Sequence, residues 1–82
     1  MVIHIKTLGI PPSVMPAYTD PIELEVDATL RDLLLFLTKK HASVTEVYLK
    51  SCTFMVNSKK VDLDASLQDG DRVLILRTLG GG

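Results

Sequence analysis

The residues of this 82-residue chain with the clearest chemical potential stand at its end, Leu79-Gly80-Gly81-Gly82. Glycine loses more conformational entropy on ordering than any other residue, so three in a row are expected to stay flexible rather than to pack. The apolar segment at residues 73–76 runs almost directly into them. This placement predicts that Gly82 has a free carboxylate at the end of a narrow tail, called the thread. The thread is residues 79–82, which have almost no side chains.

Other candidate sites are weaker. Asp62, Asp64 and Ser66 resemble the start of a calcium loop, but Leu67 stands where that loop needs glycine and Val73 where it needs glutamate. The remaining candidates lack zinc-type spacing or a feature that would activate a thiolate: His4, His41 and Cys52. We therefore expect no metal site, no bound cofactor and no catalytic residue, and interpret the protein as a substrate of enzymes.

Composition excludes several function classes. The formal net charge is −1, so the sequence predicts no basic field for nucleic acid or an anionic membrane. No apolar run approaches the roughly 18 residues of a membrane span. Because Cys52 is the single cysteine, no disulfide can form within the chain, which favours a reducing compartment. We expect one cytoplasmic domain, residues 1–82, that is monomeric when free.

The first half of the chain predicts two strands and a helix. Alternating apolar residues indicate strands at residues 1–8 and 22–26, separated by a proline-rich loop at residues 9–21. Thr29 is a suitable helix N-cap, and Asp32 suits the first turn. Leucines then recur at helical spacing, namely Leu30, Leu33, Leu34 and Leu37. A basic segment at residues 39–41 ends the helix.

The second half predicts shorter elements and one central strand. Ser43 and Glu46 have the spacing of a capping box, which indicates a short helix to about residue 49. Two short strands are expected at residues 53–57 and 60–63, around a Ser58-Lys59 turn. A turn at residues 69–71 leads into an apolar strand at residues 72–77. The order predicts an α+β domain, with one long helix packed across a mixed four- or five-stranded sheet.

The last strand has two faces with different expectations. If Val73 and Ile75 face the helix, then Leu74 and Leu76 face away from it. An exposed apolar patch at these two leucines is a candidate partner-binding surface. The alternative is that the proline-rich loop covers the patch through Val14, Met15 or Tyr18.

Several segments resemble the small β-grasp, ubiquitin-like sulfur carriers. The segment at residues 29–34 resembles their helix start, residues 56–61 their middle hairpin, residues 69–73 their turn into the last strand, and Gly81-Gly82 their terminus. The families are the molybdopterin synthase small subunit (MoaD), the thiamine sulfur carrier (ThiS) and related modifiers. Thirteen positions separate Asp69 from Gly82, the interval these carriers typically keep. The molybdenum branch often has Pro-Pro before the tail, where this chain has Arg77-Thr78.

The resemblance implies a sulfur carrier. A MoeB/ThiF-like adenylating enzyme would use ATP to activate the Gly82 carboxylate, and a persulfide or sulfide would displace AMP to leave a thiocarboxylate. The sulfur would pass to a molybdopterin synthase large subunit, in molybdenum cofactor biosynthesis, or to a thiazole synthase. The activating enzyme would recognise Gly81, Gly80, Leu79 and Arg77, with Arg77 either pairing with acidic groups of that enzyme or simply solvated.

Two other functions remain open at this stage. The chain is a ubiquitin-like modifier if an amine, rather than sulfur, attacks the activated Gly82 and joins it to lysines. It is a non-catalytic binding module if the glycine tail is inert.

Overall fold

The computed structural model describes residues 1–77, which form five strands and two helices. In chain order these are β1 (Val2–Leu8), β2 (Ile22–Glu23), α1 (Leu30–Lys40), α2 (Glu46–Lys50), β3 (Cys52–Val56), β4 (Lys59–Lys60) and β5 (Arg72–Arg77). The predicted thread at residues 79–82 lies outside the described residues, so its flexibility stays a prediction. No helix in the described part of the chain is long and apolar enough to cross a membrane.

The sheet is mixed, with strand order β2-β1-β5-β3-β4. The first and last strands pair in parallel, with His4 opposite Arg72 and Leu8 opposite Leu76, whereas every other pair is antiparallel. The predicted central position of the last strand is therefore confirmed. Because β5 lies between β1 and β3, the chain reaches residue 77 in the middle of the sheet rather than at an edge.

Helix α1 packs across one face of this sheet, as predicted. Thr29 caps it: its hydroxyl accepts from the Asp32 N–H, and the Asp32 carboxylate accepts from the Thr29 N–H at 2.9 Å. Its leucines at helical spacing are buried together with the inward residues of β1 and β5. The buried residues are Leu30, Leu33, Leu34, Leu37, Ile3, Ile5, Val73 and Ile75. Burial of these side chains removes their apolar surface from water, which is the dominant favourable contribution to folding.

The second predicted strand is much shorter than its sequence pattern indicates. Only Ile22 and Glu23 pair with β1, and the chain then turns through Asp27, whose φ is +69°. Val26, an apolar position of the alternating pattern, is 76% exposed as a result. Strict alternation predicted a strand at residues 22–26, but a strand persists only where a partner strand runs alongside, and β1 begins at Val2.

Two further boundaries differ from the prediction. The short helix α2 is capped by Thr45, whose hydroxyl accepts from the Tyr48 N–H at 3.1 Å, and not by Ser43. The hairpin turn lies at Asn57-Ser58, one residue before the predicted Ser58-Lys59, because Val56 pairs directly with Lys59. Both turn residues have positive φ, +51° and +69°, which matches the twist of a two-residue hairpin.

The proline-rich loop packs on the helix side of the sheet. Met15 is buried in the core, and Val14 and Tyr18 pack against it. The Tyr18 hydroxyl and His41 Nε2 are hydrogen-bonded at 2.7 Å, which fixes the loop to the end of α1. The alternative in which this loop covers Leu74 and Leu76 is therefore wrong.

The close contact where the loop begins predicts a large effect of Gly9→Ala. Gly9 has a φ of +76°, and a Cβ there would overlap the Arg77 carbonyl oxygen, whereas Gly70, with a φ of +86°, has no atom within 4 Å of its Cβ position. The overlap adds to backbone strain only at Gly9, so we expect Gly9→Ala to cost about 3 kcal/mol and Gly70→Ala about 1 kcal/mol. Denaturant unfolding measures both, and equal losses would show that the Arg77 contact is unimportant.

Candidate functional site

The predicted reactive residues and the described fold meet at Arg77, the end of β5. Gly82, Gly81, Gly80 and Leu79 lie outside the described residues, so their predicted roles stay predictions. Arg77 is opposite Cys52 of β3, and Leu76 is opposite Leu8 of β1. Whatever follows residue 77 therefore starts from the centre of one end of the sheet.

The sheet face turned away from α1 is called the outer face, and it contains both predicted partner-binding leucines. Val73 and Ile75 are 1% and 0% exposed on the helix side, so Leu74 and Leu76 face outward, as predicted. The cross-strand register then gives the members of the outer face, which are Val2, His4, Lys6, Leu8, Glu23, Thr53, Met55, Lys60, Arg72, Leu74 and Leu76.

Residues on the outer face change from apolar to basic along the strands. Nearest the end of β5, Leu76 lies between Leu8 and Thr53. In the next row Leu74 and Met55 lie side by side, with a lysine at each end of the row. The row after that contains His4 and the cationic Arg72. The apolar end is thus adjacent to residue 77, and the basic end is remote from it.

This face is open in the described part of the chain. Leu8 is 47% exposed, and Leu74 and Leu76 are half-buried. A shallow cavity of about 760 Å³ opens beside Leu74, with His4 and Asn57 on its border. Contiguous apolar surface of this kind, bordered by polar residues, is typical of protein–protein contacts.

The charge of the outer face was not apparent from composition. Lys6, Arg72 and Lys60 bring three positive charges to a molecule whose formal net charge is −1. Within residues 1–77, the outward positions of β1, β5 and β3 include no carboxylate, and Glu23 on the edge strand β2, opposite Val2, is the one carboxylate at a paired outward position of the sheet. The nearby Asp71 is bound elsewhere, since it accepts from Asn57 Nδ2 at 2.9 Å and from the Gln68 N–H at 2.8 Å.

Arg77 is half-buried and lies on the helix side of the sheet, not on the outer face. Its guanidinium carbon lies 4.7 Å from the centroid of the Tyr48 ring, and its Nε donates to Ser51 Oγ at 3.0 Å. The sequence did not reveal these contacts, because they join residues 26 and 29 positions apart through the antiparallel register of β3 and β5. Whether an activating enzyme also contacts Arg77 stays a prediction.

Cys52, beside Arg77, is a packed residue. Its Sγ donates to the Tyr48 carbonyl at 3.6 Å, and its side chain contacts the core. Burial raises the pKa of the Cys52 thiol, although the Ser51 hydrogen bond and the Arg77 charge act in the opposite direction. The neutral thiol is therefore favoured, which argues against a nucleophilic role.

No group of three His, Cys, Asp or Glu side chains within residues 1–77 is placed to hold a metal ion. In the segment that resembles a calcium loop, Asp64 instead accepts from Arg31 at 3.0 Å. This cluster is a surface turn fixed to the start of α1.

Solved structures from several organisms share this fold. SAMP1, small archaeal modifier protein 1, from Haloferax volcanii matches with a TM-score of 0.82 and 18% identity over 100% of both chains. A putative molybdopterin converting factor subunit 1 from Pyrococcus furiosus matches with a TM-score of 0.81 and 23% identity, over 96% of this chain and 99% of that one.

A third structure is a complex of subunits 1 and 2 of the molybdopterin-converting factor from Helicobacter pylori, with a TM-score of 0.62 and 22% identity over 100% of both chains. At these identities the likeness shows the fold, and the predicted β-grasp, ubiquitin-like architecture is confirmed. No curated protein matches the sequence. The family model described as the ThiS family, however, matches residues 15–82, most of the chain. The chain belongs to the ThiS family of ubiquitin-like β-grasp proteins.

Proposed function

We propose that the protein is a sulfur carrier whose Gly82 carboxylate is converted to a thiocarboxylate. The observation that carries the proposal is the ThiS-family match, which extends through the last strand to Gly82. The position of β5 supports it, because a central last strand places residue 77 beside an open, apolar part of the outer face. A partner that takes up residues 78–82 can then contact the outer face at the same time.

The chemistry follows from the properties of a carboxylate. The negative charge of the carboxylate repels nucleophiles, so the Gly82 oxygen first attacks the α-phosphate of ATP and releases pyrophosphate. In the resulting acyl adenylate, a sulfide nucleophile attacks the acyl carbon, and AMP leaves with the electron pair of the broken C–O bond. The ATP belongs to a MoeB/ThiF-like adenylating enzyme, and this chain contributes the acyl group and the docking surface.

The partners are proposed from the same features. The H. pylori likeness is to one subunit of a two-subunit complex, which supports a synthase large subunit as sulfur acceptor. The family match fits a thiazole synthase equally well. In either case we propose that the partner presents an apolar centre to Leu74 and Leu76, with carboxylates opposite the basic end of the outer face.

A second candidate function is protein modification, in which an amine of a lysine attacks the activated Gly82. The specific observation that favours it is the structural likeness to SAMP1, a protein named as a modifier. Gly-Gly remnants on lysines of other proteins, measured by mass spectrometry after proteolysis, would support modification. An inert tail is the remaining alternative, and removal of Gly81-Gly82 should leave such a binding module functional.

Sulfur transfer predicts a defined change in intact mass. Incubation with a MoeB/ThiF-like enzyme, ATP and a sulfide source should replace one oxygen of the Gly82 carboxylate by sulfur, and the product should disappear when Gly82 is deleted. ATP omission is the control. A carrier that never gains sulfur with any adenylating enzyme of its own organism contradicts the proposal.

The three glycines should differ in importance. Gly82 supplies the acyl carbon, and Gly81 is the adjacent residue without a side chain. Gly80 is one position further from the reaction. We predict that Gly82→Ala lowers the rate of adenylation at least about 10-fold, the loss typical of misplacing a reacting group, and that Gly80→Ala has little effect. Pyrophosphate release measures both, and similar losses for both variants would contradict this order.

Substitutions on the outer face should weaken partner binding selectively. Leu74→Ala should raise the Kd for the adenylating enzyme about 10-fold, as expected for a central contact. The matched control is Leu35→Ala, since Leu35 is 45% exposed on α1.

Lys6→Glu should slow association, most strongly at low salt, whereas Lys39→Glu, with the same change of net charge, should not. Calorimetry and stopped-flow kinetics test these pairs, and equal effects within either pair would exclude the outer face as the docking site.

A further inference from the structure

The Arg77 side chain is held on the helix side of the sheet, at the end of β5. The guanidinium carbon lies over the Tyr48 ring, and Nε donates to Ser51 Oγ, so two separate contacts hold the planar group. Neither contact requires a partner protein. Within residues 1–77, the one ion pair is that of Arg31 with Asp64, so Arg77 is held by an aromatic ring and a hydroxyl instead of a carboxylate.

The residues that hold Arg77 are themselves fixed. The Ser51 hydroxyl donates to the Tyr48 carbonyl at 2.6 Å, and the Ser51 N–H donates to the same oxygen at 3.0 Å. Thr45 caps the start of α2, and Leu49 anchors the helix in the core. Tyr48 and Ser51 therefore form a preorganised support that is built before any partner binds.

The backbone of Arg77 is confined from the opposite side. Gly9 approaches the Arg77 carbonyl so closely that a Cβ would not fit. Arg77 is thus enclosed by the end of β1 on one side and by α2 on the other. A residue confined in this way has few orientations available, so Arg77, the last described residue of β5, is held in place.

We infer that Tyr48 and Ser51 are positioning residues, which hold Arg77 in place for the activating enzyme that binds the end of β5. The inference rests on the proposed function, in which an activating enzyme takes up residues 78–82 while it binds the outer face. Fixing Arg77 in advance lowers the entropy that is lost when the enzyme binds. The support affects binding of the carrier and leaves the chemistry at Gly82 unchanged.

Four variants test this assignment. Tyr48→Leu removes the ring under the guanidinium, and Ser51→Ala removes the acceptor of Nε. Tyr48→Phe keeps the ring and removes only a hydroxyl, which is buried and has no hydrogen-bond partner within residues 1–77. The matched control is Val47→Ala, on the same helix, because the Val47 side chain is 78% exposed.

The first readout is independent of enzymatic function. In ¹⁵N relaxation measurements, Tyr48→Leu and Ser51→Ala should increase the motion of the Arg77 backbone N–H and Nε–H, while Tyr48→Phe and Val47→Ala behave like the natural chain. Equal motion in all variants overturns the inference, whatever the outcome of the sulfur-transfer assay. If Tyr48→Leu fails to fold, Arg77→Lys removes the stacking and the Nε–H bond without altering α2 and should release the backbone in the same way.

The second readout uses the adenylating enzyme identified in the thiocarboxylation assay. Tyr48→Leu and Ser51→Ala should each raise the KM for the carrier about two- to five-fold, the loss of one such contact, with kcat unchanged. If only Arg77→Lys raises KM, the enzyme contacts the Arg77 side chain directly and the inference is wrong. If the natural chain is not activated at all, the proposed function fails while the relaxation result still decides whether the support exists.

Discussion

The parallel pairing of β1 with β5 is the constraint on which the rest of the structure depends. It brings the first and last strands of the chain together at the centre of the sheet, and every other element is arranged around them. A parallel pair needs a long crossover, and here the crossover includes both helices and the hairpin. The same pairing places Gly9 against Arg77, so the end of the first strand and the end of the last strand are fixed together.

Alternation along β5 gives its two faces separate functions. Val73 and Ile75 are buried under α1 and contribute to the core, while Leu74 and Leu76 remain available on the outer face. Exposed apolar surface adds nothing to the stability of the isolated domain, so its presence beside residue 77 is more readily explained by a partner than by folding. Arg77 belongs to the helix side, where α2 holds it.

The proline-rich loop shows how this separation is maintained. Its apolar residues pack at the helix side, where Tyr18 meets His41, and they leave the outer face open. Charge is divided in a similar way. On the outer face of the described strands, lysine and arginine outnumber the one carboxylate, Glu23, while Asp69 and Asp71 accept hydrogen bonds at the far end of the sheet. A molecule of nearly zero net charge thereby presents a basic surface to a partner.

Local signals in the sequence determined the elements that depend on neighbouring residues. Thr29 and Asp32 with the leucine repeat defined α1, and the turn before Arg72 defined the start of the last strand. The outward orientation of Leu74 and Leu76 also followed from alternation once the buried pair was assigned. These features were predictable because caps, turns and periodicity act over a few residues.

Long-range pairing decided the remaining features. Register moved the hairpin turn to Asn57-Ser58 and shortened β2, because a strand and its turn end where the partner strand ends. Register also gathered dispersed basic residues on one face and brought Arg77 to α2. The terminal residues Gly80-Gly81-Gly82 were the first to indicate chemistry, and their identity is a property of the sequence alone. The terminal glycines come after Arg77 in the chain, and the surroundings of Arg77 were decided by tertiary structure. Contacts between residues far apart in the chain leave no local pattern in the sequence.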